Sequence, residues 1–151
     1  MPTHAEKRIV PYTQKQLFDL VADVERYPDF LPWCLGSRIK RRLSDTVFEA
    51  DLVVGFKMIR ERFTSRVELI GTDKVNVTYK EGPFRYLNNH WVFIEQENGT
   101  CIDFYVDFEF RSKMLQKLMG TLFNEAVQRM VAAFEQRARQ LYGPSGLSSA
   151  G

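Results

Sequence analysis

The chain has 151 residues, of which 44% are apolar and 13% aromatic, enough to build one water-excluding core and to exclude a disordered protein. Twenty-one Lys and Arg against 19 Asp and Glu leave a net charge of +2 and a pI near 8.6, too slight an excess for a protein living mainly on phosphate backbones, and DNA is not an expected partner. Cys34 and Cys101 lack metal-ligand spacing and are expected as free thiols, and no apolar run approaches the roughly 20 residues that span a bilayer. Without a transit-like extension before Ile9, a bacterial cytoplasmic protein is expected.

After an N-terminal strand, Thr13 and Gln16 form a capping box and Tyr12 can staple onto Leu17, so a helix is predicted from Gln14. Leu17, Leu20, Val21 and Val24 supply its apolar face, and the helix is predicted to end near Val24 before Pro28 and Pro32 break the chain into short turns. From about Leu35 to Phe110 the pattern changes to period two, with breaks at Ser44-Asp45, Gly55, Gly71-Thr72-Asp73, Glu81-Gly82-Pro83 and Asn98-Gly99, which predicts five or six antiparallel strands. Phe48, Ala50, Leu52, Val54 and Phe56 form one dry face against Glu49 and Asp51 on the wet side. Ile59, Phe63, Val67 and Leu69 form a second, Val75, Val77 and Tyr79 a third, and Ile102, Phe104, Val106, Phe108 and Phe110 a fourth. Asn98-Gly99 is expected to supply the positive-φ residues of the last hairpin.

From Ser112, a plausible N-cap, to Tyr142 the period returns to 3.6, with an apolar stripe running from Leu115 through Leu122 and Met130 to Leu141 and a stop at Gly143-Pro144. At about 1.5 Å per residue this helix would run roughly 45 Å, enough to cross a curved sheet. The expected architecture is α+β, a curved antiparallel sheet gripping a long C-terminal helix, with one domain over residues 1–142 and a disordered tail over 143–151. A cavity is expected wherever the sheet curves away from the helix.

Three blocks, YPDFLPWC (Tyr27 to Cys34), EGPFRYLNNHWVF (Glu81 to Phe93) and DFEF (Asp107 to Phe110), resemble the coenzyme Q-binding branch of the START-like, polyketide cyclase/dehydrase superfamily, whose bacterial members include a ribosome-association toxin. The resemblance covers about residues 3 to 142. It implies a helix-grip fold with a hydrophobic tunnel and a non-enzymatic role, binding or chaperoning a polyprenyl quinone such as ubiquinone for respiration and quinone synthesis. A ribosome-associated factor and a polyketide aromatase or cyclase stand as alternatives.

Strand parity points to the site independently, because polar residues on an apolar inner face need partners. Glu61 and Ser65 share the phase of Phe63, and Asn89 shares that of Leu87 and Trp91, which makes these three the candidate contacts to a ligand head group; the alternative is that they meet water at the open end of the sheet or cap a bulge. Phe104, Phe108, Leu122, Val127 and the helix methionines Met114, Met119 and Met130 are candidate wall residues or plain core, and Trp91 offers a flat face to a ring or simply packs. The proline-broken loop Phe30, Leu31, Pro32 and Trp33 is either a lid that dips into a membrane interface or a plug for one end of the core. Arg38, Lys40, Arg41 and Arg42 just beyond it suit anionic lipid at the inner membrane, ribosomal RNA, or a solvated edge strand. His4 and His90, the only histidines, fit no nucleophile or zinc pattern, so neither metal nor cofactor is expected.

Overall fold

The computed structural model describes residues 3–31, 33–56 and 59–144, the side chains of Phe56, Ile59 and Thr121 excepted. The inward placement expected of Phe56 and Ile59, the loop position of Pro32 and all but Gly143 and Pro144 of the expected tail lie outside the described residues. The elements are β1 (Thr3–Val10), α1 (Gln14–Ala22), a 3-10 helix (Val24–Asp29), β2 (Cys34–Arg42), β3 (Val47–Phe56), β4 (Ile59–Ile70), β5 (Lys74–Glu81), β6 (Phe84–Gln96), β7 (Gly99–Phe110) and α2 (Lys113–Tyr142). The strands form an antiparallel sheet in the order β1-β7-β6-β5-β4-β3-β2, with β1 and β2 at its edges.

The capping box at α1 forms as the spacing predicts: Gln16 N–H donates to Thr13 Oγ1 at 3.1 Å and Thr13 N–H donates to Gln16 Oε1 at 2.9 Å. The helix stops at Ala22 rather than near Val24, because Asp23 leaves helical geometry and Val24 starts the 3-10 turn that accommodates Pro28. In the last hairpin Gln96 pairs with Gly99, so Glu97 and Asn98 make the turn and Gly99 belongs to the strand. Its glycine is required for a different reason from the turn geometry expected: at φ 146° a Cβ would lie 2.1 Å from the Val10 carbonyl oxygen, where the chain leaves β1.

Helix α2 is tied down at both ends. Ser112 Oγ caps its start and Gln116 Oε1 accepts from the Phe110 N–H at 2.8 Å, while Tyr142 OH donates to Gln16 O at 3.0 Å and Tyr12 OH to Gly143 O at 2.7 Å. Phe123, Val127, Phe134 and Ala138 are buried, but two expected members of its apolar set are not: Leu141 is exposed and Met114 is 76% exposed.

The convex face departs from the alternation of dry and wet residues. Glu49 and Asp51, expected in water, are buried, because long cationic side chains on neighbouring strands lie over them. Asp51 accepts from the Thr64 hydroxyl and pairs with Arg62 at 3.3 Å and Arg38 at 3.4 Å, and Glu49 pairs with Lys80 at 3.2 Å. Burial works against the Asp51 charge, but the Thr64 and Arg62 hydrogen bonds and the positive field of Lys40 and Arg62 outweigh it and hold the carboxyl below its ordinary 3.8.

Two measurements on denaturant midpoints check these assignments. Gly99→Ala is expected to destabilise by roughly 1 to 3 kcal/mol, whereas Gly120→Ala, where a Cβ meets nothing within 4 Å, should stabilise by about 0.5 to 1 kcal/mol. A carboxyl whose pKa falls on folding stabilises above its unfolded value and loses that contribution as pH drops through the folded one. Asp51→Asn should therefore be less stable than the parent at neutral pH, with the gap closing below pH 3.8; a gap independent of pH would contradict the assignment.

Candidate functional site

Beneath the middle of α2 the concave sheet encloses a cavity of about 220 Å³. Its floor is the inner phase of β3 to β7: Leu52 and Val54, Phe63, Ser65 and Val67, Val77, Phe84, Leu87, Asn89 and Trp91, and Phe104 to Phe110 at every second position. Its roof is Met119, Phe123, Ala126, Val127, Met130 and Phe134 of α2, and one end is closed by Val24, Tyr27, Leu31 and Trp33. An apolar cavity of about 150 Å³ is known to accept benzene, so this one has room for a substituted single ring.

Ser65 and Asn89 bring polar side chains to the floor. Ser65 is 1% exposed, and among the described residues its hydroxyl finds no hydrogen-bond partner, which leaves it directed at the cavity. Asn89 is oriented by two bonds: its Oδ1 accepts from Trp91 Nε1–H at 3.1 Å and its Nδ2 donates to Tyr105 O at 2.9 Å. One amide hydrogen and one oxygen lone pair are left over. Ser65 pairs with Tyr79, and Asn89 with Val77, so the two lie two strands and one two-residue step apart, about 12 Å between Cα atoms on a flat sheet and less on a concave one. The arrangement can hydrogen-bond a small ring at opposite ends.

The other polar groups at the wall are inert. Tyr27 OH donates to Val21 O, and burial pushes it above its usual range, so it stays neutral. Outside the lining, burial pushes the Cys34 thiol up to about 11 against a smaller opposing effect of the Gly36 backbone, which removes it as a nucleophile near neutral pH. No group of three or more metal-ligating side chains occurs among the described residues. His90 stands on the convex face, stacked on Tyr105 at 5.8 Å, and His4 lies at the β1 edge with its Nε2 3.0 Å from Glu6 Oε1.

Of the sequence-predicted site residues, Phe63, Ser65, Leu87, Asn89, Trp91, Phe104, Phe108, Met119, Val127 and Met130 all line the cavity. Two do not. Glu61 shares the inner phase and pairs with the lining residue Val54 but does not itself line the cavity, and Leu122 lies about 90° around α2 from the centre of its lining stripe. The loop turns inward: Leu31 is 2% exposed, Trp33 faces the cavity and Phe30 packs its ring at 5.2 Å on Phe134, with the Arg137 guanidinium 5.3 Å from its centre. Leu31 is thus sealed inside rather than offered to a membrane. Arg41 and Arg42 are exposed on edge strand β2, Arg42 lying 5.4 Å over the Phe48 ring. Sequence reasoning missed Tyr27, Phe123, Ala126 and Phe134; the spacing 119, 123, 126, 130, 134 was the available signal.

A long helix laid over a curved antiparallel sheet, with an apolar cavity between them, defines the START-like class of lipid-binding folds. The chain belongs to the polyketide cyclase/dehydrase and lipid transport family, whose model matches residues 10–135. It is 39% identical over 138 residues to ribosome association toxin RatA of Rickettsia prowazekii, covering 89% of this chain and 94% of that protein. It is 35% identical over 145 residues to the mitochondrial coenzyme Q-binding protein COQ10 homolog B of Xenopus laevis, covering 93% of this chain and 59% of that protein. In fold it matches a START superfamily protein of Mycobacterium smegmatis, with a TM-score of 0.77 at 20% identity over 92% of this chain and 98% of the other. Neither curated relative carries the name of an enzyme, although the family description includes cyclases and dehydrases.

Filling the cavity tests its position. Ala126→Trp is expected to cost less than about 1 kcal/mol and to abolish toluene uptake seen by NMR, because the indole occupies existing space, whereas overpacking a solid core costs about 1 to 3 kcal/mol. Leu122→Trp should leave toluene uptake intact.

Proposed function

We propose that the protein binds a polyprenyl quinone, of the ubiquinone kind, by its head group and acts as a carrier or chaperone rather than as an enzyme. The observation that carries this reading is the Ser65 hydroxyl, unpartnered among the described residues, opposite the oriented Asn89 amide in an otherwise apolar cavity of ring size. An aliphatic chain has no use for either group, whereas a ring with oxygen acceptors at both ends uses both. The similarity to a coenzyme Q-binding protein supports the same ligand.

Magnitudes favour a releasable ligand. A buried ring of aromatic side-chain size removes about 200 Å² from water, worth roughly 5 kcal/mol at 25 cal/mol per Å² before ordering costs. Two hydrogen bonds add about 0.5 to 1.5 kcal/mol each. The cavity is filled by the ring and the first part of the tail, so the remaining isoprenoid runs outside it, toward a membrane or a second protein. The absence among the described residues of any helix long and apolar enough to cross a bilayer is compatible with peripheral contact.

The names of the bacterial relatives favour a second reading, association with ribosomes. The aromatase or cyclase reading has less support: among the described residues lining the cavity there is no carboxylate or histidine, and Glu61, the carboxylate considered for that role, does not line it.

Organic extraction of purified protein, or saturable uptake of a short-chain ubiquinone from liposomes, tests the quinone reading. Ser65→Ala should weaken uptake roughly two- to tenfold while leaving the ligand-free protein about as stable, because no hydrogen bond among the described residues is lost. Absence of both bound and exchangeable quinone would end the carrier reading.

A further inference from the structure

We propose that the convex face of β2 to β5 is a docking surface for structured RNA, held through its phosphates by an arginine array anchored on two buried carboxylates. The whole-chain charge of +2 conceals a strong asymmetry. Strand register places Arg38, Arg41, Arg60, Arg62, Arg66 and Lys80 on this face, joined by Lys40, whose Nζ lies 3.5 Å from Glu81. The β6 and β7 part of the same face carries Asp103, Asp107 and Glu109 instead.

Lys40 and Arg66 pair with the exposed carboxylates Glu81 and Glu68, but the pairs at the centre of the array are one-sided. Asp51 and Glu49 are sunk in the sheet, whereas their partners stay open to solvent: Arg38 is 65% and Arg62 63% exposed at the side chain. Asp51 takes one Nη2 contact from each arginine, and a guanidinium has five N–H donors, so most donors remain directed outward. Glu49 repeats the plan one step along the strand, bonded to Lys80 and flanked in register by Arg41 and Arg66. Anchoring restricts the guanidinium planes before a partner arrives, which lowers the ordering cost of binding.

Phosphates are the matching partner because planar forks bind them bidentately and because the array is extended. Four strands at about 4.8 Å and the six-residue rise from Arg60 to Arg66 span roughly 14 by 20 Å, the scale of several consecutive phosphates rather than of one anion. RNA is favoured over an anionic bilayer because among the described residues the array offers no large apolar side chain for insertion; the exposed Leu35, Leu43 and Ile70 lie at strand ends and turns. The surface is distinct from the quinone cavity and gives the ribosome reading, on which its biological role rests, a specific contact.

The test is fluorescence anisotropy of a labelled mixed-sequence RNA hairpin across a salt series, with thermal melting as a folding control. Binding should weaken linearly in log salt, and the pair R41Q and R66Q, neither bonded to Asp51, should lower the slope by about two at unchanged melting midpoint. The control pair K15Q and K113Q, equal in charge and carried by the two helices rather than by the sheet, should lower it by less than one. No RNA binding at low salt, equal slopes for the two pairs, or binding transferred to phosphatidylglycerol vesicles would overturn the proposal. Co-sedimentation with purified ribosomal subunits separates the two readings: subunits retained without hairpin binding overturns the RNA surface and leaves ribosome association standing, while hairpin binding lost with R41Q and R66Q supports the surface whatever the quinone result.

Discussion

A rod pinned at both ends across a concave surface leaves space beneath its middle, and the site of this protein follows from that constraint. Helix α2 runs for 30 residues, about 45 Å, and is held at its start by the Gln116 contact to Phe110 and at its end by the reciprocal Tyr12 and Tyr142 bonds between α1 and the helix terminus. The sheet bends away between these ties. Side chains as large as Phe123, Phe134 and Trp91 reach into the gap, and a cavity of about 220 Å³ remains. An unfilled apolar space of this size forfeits dispersion contacts that a solid core would make, so a ligand that restores them gains affinity from a cost already present in the fold.

The two faces of the sheet solve opposite problems with polar residues. On the concave side Ser65 finds no partner among the described residues and Asn89 keeps part of its hydrogen-bonding capacity, an arrangement that costs stability until a ligand supplies acceptors. On the convex side Asp51 and Glu49 are also buried, but each is satisfied by neighbouring cations and hydroxyls, and the result is an ordered surface rather than a vacancy. The concave groups thus read as binding groups, whereas the convex ones read as anchors for others.

Much of this was legible in the chain. Alternation in β7 and the capping box at Thr13 marked both elements because each signal is local: one strand, one turn, three residues. The inward polar positions Ser65 and Asn89 were legible for the same reason, since a period of two assigns faces without knowledge of the partner strand. The failures share a different cause. Glu61 has the correct parity and even pairs with the lining residue Val54, yet its side chain does not line the cavity, which parity alone does not tell. Leu122 belongs to a broad apolar stripe whose lining third is set by the tilt of α2 on the sheet. Burial of Asp51 depends on Arg62 and Arg38, 11 and 13 residues away in sequence, that of Glu49 on Lys80 two strands away, and the inward turn of the loop on the packing of Phe30 against Phe134, about a hundred residues downstream.

The central claim, that a ring is held at both ends inside the cavity, is tested most directly by isotope-filtered NMR on the labelled protein with a short-chain ubiquinone. The account predicts intermolecular contacts from the ring methyl and methoxy protons to the Met130 methyl and the Trp91 indole, together with shifts of the Asn89 side-chain amide. Ring contacts confined to exposed residues, with Trp91 and Asn89 unmoved at saturation, would contradict it.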